Sequence, residues 1–130
     1  MSHHRRTVTA DGAPAAVGPY RHAVVAGGLL FCSGQTPLDP TTNELVDGPL
    51  GAQATRCLQN LDAVCAAAGA SLADAVRLTV FLVDLGRFAE VNEAYGEFFA
   101  SDPPARVAIG VAALPKGAEV EIDAVVALPG

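Results

Sequence analysis

The chain has 130 residues and a net charge of −6, with eight basic residues scattered from end to end. That length supports one domain around one core and excludes two. The acidic balance speaks against a nucleic-acid surface, and no apolar run approaches the roughly 20 residues of a membrane span. Apolar residues make up 51% of the chain and charged ones only 17%, and a surplus of that kind is often buried between subunits. The start, Met1-Ser2-His3-His4-Arg5-Arg6, has no apolar signal core behind it, so a soluble cytoplasmic protein is expected. Cys32, Cys57 and Cys65 lack metal-ligand spacing and read as buried thiols in a reducing compartment.

Residues 1 to 16 are polar or small and carry the turn signal Asp11-Gly12-Ala13-Pro14, which predicts a flexible arm feeding the fold. Gly18-Pro19-Tyr20 opens a strand region running through Val25, and Gly27-Gly28 marks a hairpin turn. Leu29 to Cys32 is the returning strand, ending at Ser33-Gly34-Gln35, where the glycine permits close approach. Ser33 reads equally as a ligand donor or a strand cap. The cluster from Pro37 to Glu44 is a surface loop. Between Leu50 and Ala68, apolar residues recur at Ala54, Cys57, Leu58, Leu61, Val64, Cys65 and Ala68, the pattern of an amphipathic helix stopped by Gly69.

Leu78 to Val83 is apolar on both faces apart from Thr79, so it is expected as a covered strand in the middle of the sheet. A second helix carries Phe88, Val91, Asn92, Tyr95, Phe98 and Phe99 on adjoining stripes and ends before Pro103-Pro104. In the next strand Val107, Ile109 and Val111 alternate with Arg106, Ala108 and Gly110, giving one apolar face and one face with a guanidinium among small neighbours. Spacing alone leaves Arg106 as either a surface residue at a strand end or an anchor for a small anion. Val120 to Leu128 closes the chain as an alternating strand with Glu121 and Asp123 on one side. For both helical stripes to be buried, the two helices must cover one face of a mixed sheet. The other face is partly apolar, so association through the sheet is expected, with pockets where subunits meet.

The segments Ala16-Val17-Gly18-Pro19-Tyr20, Ser33-Gly34-Gln35, Thr79 to Leu85, Val91-Asn92-Glu93-Ala94-Tyr95, Pro104-Ala105-Arg106 and Leu114-Pro115-Lys116-Gly117 through Val120-Glu121-Ile122 resemble the RidA (YjgF/YER/UK) family of imine deaminases. The resemblance covers nearly the whole chain from Pro14. It implies an α+β, chorismate-mutase-like fold: a mixed sheet with two helices on one face, assembled as a homotrimer around a central β-barrel, with 1–130 as one domain and 1–13 as its arm. It also implies hydrolysis of 2-imino or enamine acids, such as 2-aminoacrylate and 2-iminobutyrate, to 2-keto acids and ammonia, with neither metal nor cofactor. Carried over by position, Arg106 would grip the substrate carboxylate with help from the backbone near Gly34. Glu121 would position the attacking water together with Ser33 and Tyr20, and Asn92 would line the cleft or orient its helix.

A small-carboxylate-binding or regulatory role on the same trimer is the alternative of a different class. An endoribonuclease or translation inhibitor, a role also attached to the family, finds no basic patch here. The chain departs from the pattern in three places: Arg21-His22 follow Gly-Pro-Tyr and are expected to alter the cleft rim, Ala108 is expected to change pocket shape, and Asp123 stands with Glu121 on one strand side, where a second acid is expected to raise a carboxyl's pKa.

Overall fold

The computed structural model describes residues 4–130. Six strands, β1 (Arg6–Val8), β2 (Ala23–Ala26), β3 (Leu29–Gln35), β4 (Ala75–Leu82), β5 (Ala105–Gly110) and β6 (Val120–Ala127), form one sheet in the order β1-β2-β3-β6-β4-β5. Every pairing is antiparallel except β4 with β5. The two helices, α1 (Leu50–Ala67) and α2 (Phe88–Phe98), lie on one face of the sheet, and α2 is the crossover that a parallel β4–β5 pair requires. Helix α1 ends as its sequence predicts. Gly69 takes a left-handed φ of 77° while the Ala70 N–H reaches back to the Cys65 carbonyl at 2.9 Å, closing the last turn.

Strand alternation decides which residues enter the core. Leu78, Val80 and Leu82 of β4 and Val120, Ile122, Ala124 and Val126 of β6 point at the helices and are almost wholly buried against Leu58, Leu61 and Val64 of α1 and Val91 of α2. The three cysteines are buried there too, and all are free thiols. Burial pushes the Cys57 thiol well above its ordinary value, so it behaves as a small apolar side chain. Asn60, fully buried in α1, is satisfied by donating to the carbonyls of Thr36 (3.3 Å) and Leu38 (2.9 Å) and accepting from Arg56 (3.0 Å). It fastens the loop after β3 to the helix.

Three expectations need correction. The arm expected over residues 1–13 lies outside the described residues only for its first three positions. Arg6–Val8 pairs with β2, and Val8, Ala10 and Ala13 are buried. The His22 ring explains this: Nδ1 accepts from the Ala10 N–H (2.9 Å), so Nε2 carries the proton and donates to the Pro14 carbonyl (2.7 Å). His22 therefore turns inward and forms part of the groove's wall rather than its exposed rim. Finally, β4 is interior but not central, because the C-terminal strand β6 inserts between β3 and β4 and takes the middle position with β3.

The apolar face of β5 also turns outward. Arg106, Ala108 and Gly110 register with Leu78, Val80 and Leu82 and so face the helices, whereas Val107 and Ile109 stand on the uncovered face at 43% and 40% exposure, as does Phe31 at 45%.

Replacing His22 with leucine leaves the Ala10 N–H and the Pro14 carbonyl unsatisfied. The variant is expected to lose about 1–3 kcal/mol in urea unfolding, with faster amide exchange across residues 8–13. Unchanged exchange there would show that the imidazole does not hold the segment.

Candidate functional site

Arg106 lies near the start of β5, an edge strand, on the face that α2 covers. Its guanidinium carbon sits 4.8 Å from the ring centre of Phe88 and 4.8 Å from that of Tyr95. Nη1 donates to Asn92 Oδ1 at 2.8 Å. Phe88, Asn92 and Tyr95 are spaced i, i+4 and i+7, so one stripe of α2 delivers all three contacts. Two aromatic faces and one amide hold the guanidinium plane while Nε and Nη2 remain without partners among the described residues. An oriented fork of this kind suits a carboxylate. Tyr95 is buried at 5% exposure and packs on Phe99 at 4.9 Å, and its hydroxyl has no hydrogen-bond partner among the described residues. Burial raises its pKa, and the Arg106 charge opposes that rise.

Glu121 belongs to a second constellation. It registers with Phe81 of β4, one residue out of phase with the buried Val80–Ile122 pair, so it projects from the uncovered face. A register shift between Cys32 and Gln35 brings Gly34 against it. A methyl group on Gly34 would coincide with Glu121 Oε2, so only glycine leaves the carboxylate its place. Burial lifts the Glu121 carboxyl above its ordinary value near 4.5, and Asp123 on the same face lifts it further. Asp123 is itself held, with Oδ1 accepting from the Thr79 N–H at 3.1 Å.

Ser33 adjoins this second group through the chain. Its hydroxyl donates to the Arg21 carbonyl (2.7 Å) and its N–H to the His22 carbonyl (3.0 Å). With that proton committed, Ser33 offers lone pairs rather than a donor. Tyr20 is half exposed on the loop that Ser33 anchors, and both line an open groove of about 1050 Å3.

The six residues singled out from the sequence thus fall into two groups. Arg106 and Asn92 meet on the helix side; Glu121, Gly34, Ser33 and Tyr20 gather on the other. By register Arg106 and Glu121 are two strands and three residues apart on opposite faces, a separation of more than ~10 Å that no small acid spans. Phe88 and Tyr95 were legible only as members of an apolar stripe. The signal that distinguishes them is Asn92, an amide set between two aromatics at helical spacing. Ala108 shares the Arg106 face and packs on the core.

Residues 10–128 match the family described as endoribonuclease L-PSP. The chain belongs to that family. Within the L-PSP family it is 53% identical over 123 residues to protein DfrA of Myxococcus xanthus, an alignment covering 93% of this chain and 94% of that one. It is 42% identical over 121 residues to the 2-iminobutanoate/2-iminopropanoate deaminase of Homo sapiens, covering 93% and 88%. The crystal structure of RidA from the Antarctic bacterium Psychrobacter sp. PAMC 21119 superposes with a TM-score of 0.90 at 46% identity, covering 95% of this chain and 99% of that one. The resemblance to the RidA proteins and the α+β fold with two helices on one sheet face are borne out.

Two outcomes are expected. Gly34→Ala keeps the fold, since only the end of a flexible side chain must move, but displaces the Glu121 carboxylate. A structure of the variant should show that carboxylate shifted, and an unmoved one would contradict the contact. Because the folded-state pKa of Glu121 is raised, the native state binds more protons than the unfolded one as pH rises through the window, and stability falls there. Glu121→Gln should therefore melt higher than the wild type at neutral pH, with the difference vanishing below the ordinary carboxyl value near 4.5.

Proposed function

We propose that this protein hydrolyses 2-imino acids to 2-keto acids and ammonia at a site shared between two copies of the chain. The observation that carries this reading is the Arg106 guanidinium, clamped by Phe88, Tyr95 and Asn92 with its remaining N–H groups open at a sheet edge. The named activity of the human relative supports it.

The chemistry asks little of the protein. An iminium carbon is already electrophilic, so catalysis consists of holding the carboxylate, placing a water and moving protons. Arg106 takes the carboxylate in a two-pronged contact. Water attacks the C=N carbon, the electron pair moves to nitrogen, and a carbinolamine forms. Collapse to the carbonyl expels ammonia. Glu121 accepts a proton from the attacking water and returns it to the departing nitrogen, a role suited to a carboxyl whose pKa burial and Asp123 raise. The Gly34 backbone, pressed against that carboxylate, fixes where the water sits.

Because Arg106 and Glu121 face opposite sides of one sheet, the reaction needs Arg106 from one copy and Glu121 from another. A homotrimer packed through the uncovered face supplies this and covers Phe31, Val107 and Ile109. The net charge of −6 sets the chain against RNA as a substrate despite the family's description.

Purified protein should accelerate loss of 2-iminobutyrate generated in situ by a dehydratase, and Arg106→Ala should cost roughly 100-fold in kcat/KM. Arg106→Ala and Glu121→Gln should each be strongly impaired alone, yet co-expression of the two should restore about a quarter of the sites, those pairing an intact arginine with an intact glutamate. Full activity in Arg106→Ala would overturn the reading. Keto-acid binding at Arg106 without turnover would point instead to a small-carboxylate binder.

A further inference from the structure

The groove of about 1050 Å3 beside Tyr20 and Ser33 has a chemistry that imine hydrolysis does not use. Thr7 pairs with Val24 and Val24 with Phe31, so this part of β1 and β2 stands on the same uncovered face as Glu121. Two arginines, Arg5 and Arg21, line the groove with it.

Their shared place in the groove leaves both side chains available to one ligand. Elsewhere Arg56 engages Asn60, Arg87 engages Glu90 and Glu119, Arg106 engages Asn92, and Lys116 engages the Asn43 carbonyl. The guanidinium groups of Arg5 and Arg21 have neither hydrogen bond nor ion pair among the described residues. Asp11 is the one acid in the lining. Two guanidinium groups against one carboxylate make the groove locally positive in a chain of net charge −6.

The groove is also joined to the reacting centre. Glu121 touches Gly34, Gly34 follows Ser33, and the Ser33 hydroxyl holds the Arg21 carbonyl at 2.7 Å. Ser33 thereby fixes the root of the Arg21 side chain while its guanidinium stays free. A substrate whose imine carbon lies at Glu121, and whose 1-carboxylate reaches Arg106 of another copy, has its side chain left to extend along Ser33 and Tyr20 toward Arg21.

We propose that Arg21, assisted by Arg5, forms a subsite for a second carboxylate, so that the enzyme favours 2-imino acids with an acidic side chain. This rests on the deaminase reading and specifies its substrate class. The planar fork matches a carboxylate, and the attraction is partly exposed, so it acts on binding and is weakened by salt. The reaction that supplies such a substrate is one that oxidises or eliminates from an acidic amino acid.

The test compares 2-iminoglutarate with 2-iminobutyrate, each generated in situ by an amino-acid oxidase, in the wild type, Arg21→Ala and the Arg5→Ala/Arg21→Ala double variant. The expected result is a higher kcat/KM for the dicarboxylic imine in the wild type. That preference should fall about tenfold or more in the double variant, chiefly through KM, and erode as salt rises from about 0.05 to 0.5 M. A wild type without the preference, or one whose preference survives both substitutions, overturns the subsite. Calorimetric binding of 2-oxoglutarate and 2-oxobutyrate separates the two readings. Turnover of neither imine removes the deaminase reading, while tighter, Arg21-dependent binding of the dicarboxylic acid sustains the subsite. Equal affinities in wild type and variants overturn it whatever the turnover.

Discussion

Side chains alternate across a pleated strand, and in this sheet that alternation puts Arg106 on the face under α2 and Glu121 on the face that no helix covers. The core depends on the same parity. Val80 and Ile122 are buried together because they are in phase, and Glu121 is displaced by one residue from that phase. No adjustment of rotamers moves a strand residue through the sheet. Within one copy the two side chains cannot meet on one small ligand.

Each half of the arrangement is held by a different kind of physics. On the helix side the guanidinium is sandwiched by aromatic quadrupoles and tied by one amide, which orients the charge without neutralising it. An acidic partner there would have stabilised the arginine equally well but spent its fork. On the uncovered side, partial burial and a neighbouring acid raise the pKa of Glu121, and a glycine gives it room. One half keeps a permanent charge available; the other makes a charge easier to discharge.

Much of this could be read from the chain before any coordinates. Helix α1 was plain because its apolar residues recur at helical spacing over five turns and stop at a glycine whose left-handed φ completes the cap. Arg106, Glu121, Gly34 and Asn92 were legible through the likeness of their segments to the RidA proteins. Other features were not. The strand Arg6–Val8 has three residues and no pattern, and what orders it is pairing with β2 and a histidine twelve residues beyond Ala10. The place of β4 depends on where β6 inserts, a non-local choice that hydropathy does not encode. Phe88 and Tyr95 have the spacing of core residues, and only the register of β5 turns them into the walls around a charge.

The meeting of Gly34 and Glu121 ties two positions that are 87 residues apart in the chain. The volume that any other residue at position 34 would claim is already held by the glutamate's carboxylate, so the glutamate in effect completes the glycine's surface. Drift at one position is therefore conditional on the other. A lineage that gains a side chain at 34 must displace or shorten the one at 121, so the pair constrains how far the chain can diverge while keeping the carboxylate in this place.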